Sequence, residues 1–348
     1  MRISGGDIRI DGTWDVTAGK NIFMTSFDVL EYDDEKEDYI VTAVVTGWAN
    51  LGHLKLTSAS DISITDDWLL TVLGTFNATA EKDITIANSN ITASANTNWT
   101  ATNGDLTVTG GTIDIGGDWN VTADNSIFMT AVDLSAQSAY LNAKKGSILI
   151  DGTAPVSEWA FYSLLPNKKL NIAGILNMLA ANDIGITNAD ITAGDTTLTA
   201  ENGDVTIEGG SISINGIWNI IANNGDIALK SVNVLKAGAT TLDAAGKLNV
   251  AGGTLDLASL MATVENDRDA FAIPKHFWKS SGSCVVARIA FLRGLQYRLN
   301  WERDHKYSYD GAFTEIKGRP AIVFNMTKGT MLLTCHLKLT FMVEFRRS

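Results

Sequence analysis

Cysteine, proline and histidine are all rare in this 348-residue chain, at 2, 4 and 4 copies. Both cysteines, Cys284 and Cys335, fall near the C-terminal end. Their absence from the rest excludes a disulfide-built scaffold there and suits an exported protein that does not rely on disulfides. Scarce proline, with abundant Asn, Asp, Thr, Gly and Ala, suits many short strands and tight turns. Long apolar runs are missing as well. Ile40 to Leu51 is too short to span a bilayer, and Met331 to Val343 is broken by His336 and Lys338, so no transmembrane segment is expected. Helical spacing of apolar residues does not separate the strand-like segments, which argues against βαβ units.

Charge is unevenly placed. The net charge is -12. Through Val264 there are 13 Lys and Arg against 31 Asp and Glu, and from Glu265 onward 14 against 8. An acidic body and a basic tail result. The acidic body argues against nucleic-acid binding.

What is present is repetition. Gly5-Gly6-Asp7-Ile8-Arg9-Ile10 leads to Trp14, Gly110-Gly111-Thr112-Ile113-Asp114-Ile115 to Trp119, and Gly209-Gly210-Ser211-Ile212-Ser213-Ile214 to Trp218. A fourth copy, Gly252-Gly253-Thr254-Leu255-Asp256-Leu257, ends with Met261 in the place of the Trp. Each copy reads as a glycine turn, a short alternating strand, another turn and a large apolar side chain. Gly12 to Thr25 resembles Gly117 to Thr130 at an offset of 105, and Phe76 to Ala93 resembles Leu176 to Ala193 at an offset of 100. Within those blocks runs a shorter period of about 20–23 residues. It pairs a residue that is usually large with an aliphatic one about eight positions on: Trp14/Ile22, Leu54/Ile62, Phe76/Ile84, Trp99/Leu106, Trp119/Ile127, Tyr140/Ile148, Leu176/Ile184, Thr197/Val205, Trp218/Ile227 and Thr241/Leu248.

A strand of four or five residues cannot bury its apolar face alone, but coils stacked ~4.8 Å apart bury those faces in one column. The expected fold is therefore all-β, a parallel β-helix over residues 1–263, with Trp14, Trp119 and Trp218 in the core. A β-sandwich is the rival; it does not explain a similar residue at the same phase in coil after coil. Two stretches exceed the period: Leu30 to Gly47, with an acidic run, and Ala154 to Lys169. Both read as loops or extra half-coils. Loops on a rigid scaffold are where binding usually resides. Glu31, Tyr32, Asp33, Asp34, Trp159, Phe161 and Tyr162 are the candidate binding residues. Residues 264–348 lose the phase and read as a small domain, a cap or a non-native end.

Chemistry is sparse. The body's one histidine, His53, has no nucleophile–base pattern around it. Asp83, Asp105, Asp204 and Asp226 fall at turn positions and are expected to bond backbone N–H groups, with Ser126 in the same slot of one coil. Paired sugar-cleaving carboxylates on a β-helix and a tail nuclease with a histidine base are the catalytic alternatives. Cys284, His305, Cys335 and His336 match no zinc spacing, and no G-G-x-G-x-D calcium repeat is present. No cofactor or metal and no enzymatic activity are expected. Asn77, Asn90, Asn98 and Asn120 head Asn-x-Thr sequons, which composition alone would generate.

Val16-Thr17-Ala18-Gly19-Lys20-Asn21-Ile22, Ala78-Thr79-Ala80-Glu81-Lys82-Asp83-Ile84 and Leu198-Thr199-Ala200-Glu201-Asn202-Gly203-Asp204-Val205 resemble the repeats of filamentous haemagglutinin-type exoproteins. These are the large adhesins of Gram-negative two-partner secretion. The resemblance covers about residues 4–263. It implies a right-handed parallel β-helix, export through a dedicated outer-membrane transporter, and a secreted or surface location. It also implies a stalk that meets a receptor or glycan on a host or neighbouring cell. Met1-Arg2-Ile3 runs straight into the first strand pattern without a signal peptide, so an internal piece of a longer exported chain is expected. A toxin-type exoprotein with a C-terminal effector and a gene remnant without function are the alternatives.

Overall fold

In the computed structural model, residues 1–25, 47–153 and 167–264 are described with their side chains, that of Trp48 excepted. Of strands 27–33, 38–45, 271–272, 284–290, 297–301, 305–306, 323–327, 330–335 and 341–345 the backbone alone is described. Strands but no helix occur among these residues. The chain forms two compact units, Met1–Leu176 and Asn177–Ser348.

Each unit contains coils of parallel β-solenoid. One coil of the first unit illustrates them all. Its first side is Asn90–Ala93, its second Thr97–Ala101 and its third Leu106–Thr109. The buried residues alternate along each side: Ile91 and Ala93, then Thr97, Trp99 and Ala101, then Leu106 and Val108. That is the period of two that the sequence carries, with the intervening residues turned to solvent. The next coil repeats the arrangement in parallel register, with Thr97↔Trp119 and Leu106↔Ile127. The second unit does the same, with Thr196↔Trp218 and Val205↔Ile227.

The Gly-Gly pairs form the corner between the third side and the next first side. Gly110 and Gly111 have φ of 65° and 74°. A Cβ on Gly111 would lie 2.1 Å from the Ser89 carbonyl oxygen, so this corner needs glycine both for backbone sign and for room. Other coils turn the same corner with a non-glycine at positive φ: Asn88 (49°), Ala131 (55°), Asn188 (48°) and Ser231 (52°). Asparagine tolerates this conformation; alanine and serine are strained in it.

Core volume is traded between coils. At the first inward position of the second side stand Leu54, Phe76, Thr97, Trp119 and Ala139 in register. The third residue of the same strands reads Leu56, Ala78, Trp99, Val121 and Leu141. Where the first position is small, the third is large. Phe76, Trp99 and Trp119 then meet edge to face, with ring centroids 5.4 and 5.3 Å apart. Trp68 follows the same rule on the first side. It is fully buried against Gly47, on which a Cβ would lie 2.0 Å from its ring.

Trp119 and Trp218 are buried as expected, while Trp14, in the first coil, is half-buried. Three of the sequence pairs are out by one residue. Tyr140, Thr197 and Thr241 turn outward, and the inward residues are Ala139, Thr196 and Thr240. Trp99 belongs to the third position, not the first. Trp218 and Thr240 align with Leu260, which is buried, whereas Met261 is 38% exposed. The aromatic slot of the last copy is thus filled by Leu260.

In the second unit, strands after 264 pair with the last coil. Phe271–Ala272 joins Leu248 and Asn249 in parallel. Cys284–Ala290 meets Ser259 and Leu260, then runs antiparallel to Thr330–Cys335.

Candidate functional site

The corner between the third and first sides is where the first unit departs from its coil. Thr25 ends a third-side strand and Gly47 resumes the first side. Asp151 ends another third-side strand and Lys169 resumes. Both long segments therefore leave from the same corner. The third-side strands beginning at Ile22, Ile62, Ile84, Leu106, Ile127 and Ile148 stack in parallel register. The two departures are thus five steps apart, ~24 Å at the usual strand spacing.

The first departure is a β-hairpin and not the expected loop or half-coil. Phe27–Asp33 runs antiparallel to Asp38–Val45, pairing Glu31 with Ile40, Tyr32 with Tyr39 and Asp33 with Asp38. The physical reason lies in Phe27, Val29 and Leu30 on one strand and Tyr39, Ile40, Val41, Val44 and Val45 on the other. These β-branched and aromatic residues favour strand pairing, and the acidic run between them obscures the pattern. Asp34 lies outside the described residues.

The second departure contains Trp159, Phe161 and Tyr162, which also lie outside the described residues. Its base is described. The Lys168 N–H donates to the Gly152 carbonyl at 2.8 Å, so the two ends of the segment meet. The Thr153 N–H donates to the Asp151 carboxylate at 2.9 Å. From the preceding coil, Asp133 accepts the Lys168 ammonium at 2.9 Å and the Lys169 N–H at 3.0 Å. Burial alone would raise the Asp133 carboxyl, but the Lys168 hydrogen bond, the Lys169 N–H and the two lysine charges hold it below its ordinary value. Sequence reading missed this clamp, because Asp133 and Lys168 are 35 positions apart.

The turn acids do the structural work expected of them, though toward the next coil. Asp83 accepts the Asp105 N–H at 2.8 Å, Asp105 the Ser126 N–H at 2.8 Å, and Ser126 Oγ the Ser147 N–H at 3.2 Å. Asp204 accepts the Asp226 N–H at 2.7 Å. His53 has a similar task at another corner, where its Nδ1 accepts the Thr75 N–H at 3.0 Å. These groups are engaged in joining coils. No group of three or more His, Cys, Asp or Glu side chains that could hold a metal comes together among the described residues. No helix among them is long and apolar enough to cross a membrane.

No family model matches the chain, nor does any curated protein or solved structure. The fold and its corners define a parallel β-solenoid repeat protein.

Proposed function

We propose that the chain is a stalk segment of a bacterial surface or secreted adhesin of the filamentous haemagglutinin type. Its coils act as a stiff spacer, and its binding groups sit on the segments that leave one corner of the first unit. The observation that supports this most is the shared corner: the hairpin at 27–45 and the segment at 154–166 interrupt different coils at the same place. A scaffold that places its irregular segments along one edge presents them to one partner. The partner is a receptor or glycan on a host or neighbouring cell, and the route to the surface is a two-partner outer-membrane transporter. The activity is binding without catalysis, consistent with turn carboxylates that already accept backbone N–H groups.

The test joins the chain to a two-partner secretion domain and follows it to the surface of a Gram-negative host. Adhesion to epithelial cells and to neighbouring bacteria is then compared with that of a variant whose residues 27–45 are replaced by Gly-Gly. Export, adhesion and loss of adhesion in the variant support the proposal. Equal adhesion of variant and parent, or none by either, overturns it.

A further inference from the structure

We propose that the outward face of the second-side strands in the first unit binds a neutral, extended polysaccharide laid along the stacking direction of the coils. This face is distinct from the corner segments, so the inference goes beyond the adhesin reading.

Two ranks of polar side chains carry it. Thr17, Thr57, Thr79, Thr100 and Thr122 stand in register, one per coil. Two residues earlier on the strands, Asn77, Asn98 and Asn120 form a second rank, also in register. Both ranks face solvent, because they alternate with the buried Ala78, Trp99 and Val121. Adjacent members are ~4.8 Å apart across the strands, and the ranks are ~6.6 Å apart along them.

The ranks are held still before any ligand arrives. Asn98 Nδ2 donates to Asn77 Oδ1 at 2.7 Å, and Asn120 Nδ2 donates to Asn98 Oδ1 at 3.0 Å. The threonines are β-branched and stiff at χ1. Little side-chain entropy remains to be lost on binding.

The ligand class follows from charge and period. Asn77, Thr79, Asn98, Thr100, Asn120, Thr122, Tyr140 and Asn142 are the outward residues that follow the first inward position on four successive second-side strands, and none of these eight is charged. Asp118, partly exposed and in register with Ser138, is an acid at the edge of this face. The ion pair of Asp15 and Lys55, 2.9 Å apart, closes one end of the asparagine rank. A protein surface is ordinarily about a quarter to a third charged, and this chain carries a net charge of -12. Two ranks without charge, bordered by one acid and one ion pair, give little advantage to a polyanion or a basic peptide. Hydroxyls and carboxamides both donate and accept hydrogen bonds, as sugar hydroxyls do. The translational repeat selects a ligand that is itself a repeat, so that each sugar meets the same threonine and asparagine pair. At the end of the asparagine rank, Tyr140 stands in register with Asn120 and is partly exposed. Its ring offers an apolar face to a pyranose.

The experiment uses the full chain and sedimentation with microcrystalline cellulose and with chitin, alginate gel being the anionic comparison. Thr79→Lys and Thr122→Lys each place a charge on the face. Thr107→Lys places one on the outward third side, and circular dichroism checks that all three fold. The expected result is retention by a neutral polymer, at least tenfold weaker for Thr79→Lys and Thr122→Lys and unchanged for Thr107→Lys. The variant lacking residues 27–45 keeps this retention even where it loses cell adhesion, which separates this inference from the adhesin reading. No retention by either neutral polymer, equal retention of the face variants, or stronger retention by alginate overturns the proposal.

Discussion

The rings of Trp99 and Trp119 meet edge to face at 5.3 Å, although the two residues occupy different positions on neighbouring strands. Trp119 is in register with Thr97, and Trp99 with Val121. The contact exists because the coil carrying Trp99 has threonine where the next has tryptophan. Trp119→Ala leaves a hole that the flanking Thr97 and Ala139 are too small to fill. A loss of about 3–5 kcal/mol is expected, read as a lower urea midpoint. Ala139→Trp puts large residues side by side in register and is expected to destabilise by about 1–3 kcal/mol through overpacking.

Thr97 and Thr196 are buried, and their hydroxyls have no hydrogen-bond partner. Thr97→Val and Thr196→Val keep the shape and remove the unsatisfied group. Each is expected to raise stability by about 1 kcal/mol, measured by denaturant titration of the full chain. A loss of stability in both would mean that the hydroxyls are satisfied in solution.

Ala131 turns its corner at φ 55°, where other coils use glycine, asparagine or, at Ser231, serine. Left-handed backbone costs alanine about 1–2 kcal/mol, and glycine's extra freedom in the unfolded chain returns roughly 0.5–1 kcal/mol of that. Ala131→Gly is therefore expected to stabilise modestly and to raise the thermal midpoint. Gly111→Ala, with its Cβ driven into the Ser89 carbonyl, is expected to lower it sharply.

The clamp of Asp133 on Lys168 carries a pH signature. The folded carboxyl titrates lower than an ordinary one, so its contribution is full above the unfolded carboxylate range near ~4. It is lost as pH falls through the lower, folded value. The Asp133 side chain is 41% exposed, which limits the contribution to about 1 kcal/mol or less. Asp133→Asn is expected to be less stable than the parent at pH 7. The difference closes as pH drops below about 4, as denaturant midpoints at a series of pH values would show.

Much of this was legible in the chain. Gly110-Gly111 marks a real corner, Asp105 sits in a real turn ladder, and the alternation around Ile91 or Leu106 gives the buried face directly. Phase within the coil was harder. Looking for the largest side chain selects Trp99, Tyr140 and Met261, but the first inward position is not always the largest residue of its coil. A small residue such as Ala139 or Thr196 takes that position where a leucine, Leu141 or Leu198, is buried two positions on. The hairpin at Phe27–Asp33 and Asp38–Val45 was hidden because its strands pair with each other and not with the coils. The Asp133 clamp depends on a contact that no local pattern encodes.

Register between coils is the claim on which the rest depends, and cysteine cross-linking tests it most directly. In a chain with Cys284 and Cys335 changed to serine, cysteines are placed at Thr100 and Thr122, or at Thr100 and Asp124. In-register neighbours lie ~4.8 Å apart, within the ~4.4–6.8 Å span of a disulfide. Stacked parallel coils predict rapid oxidation of the Thr100 and Thr122 pair within one chain and little of the pair two residues off. Equal reactivity of both pairs, or preference for Thr100 and Asp124, would contradict the parallel register.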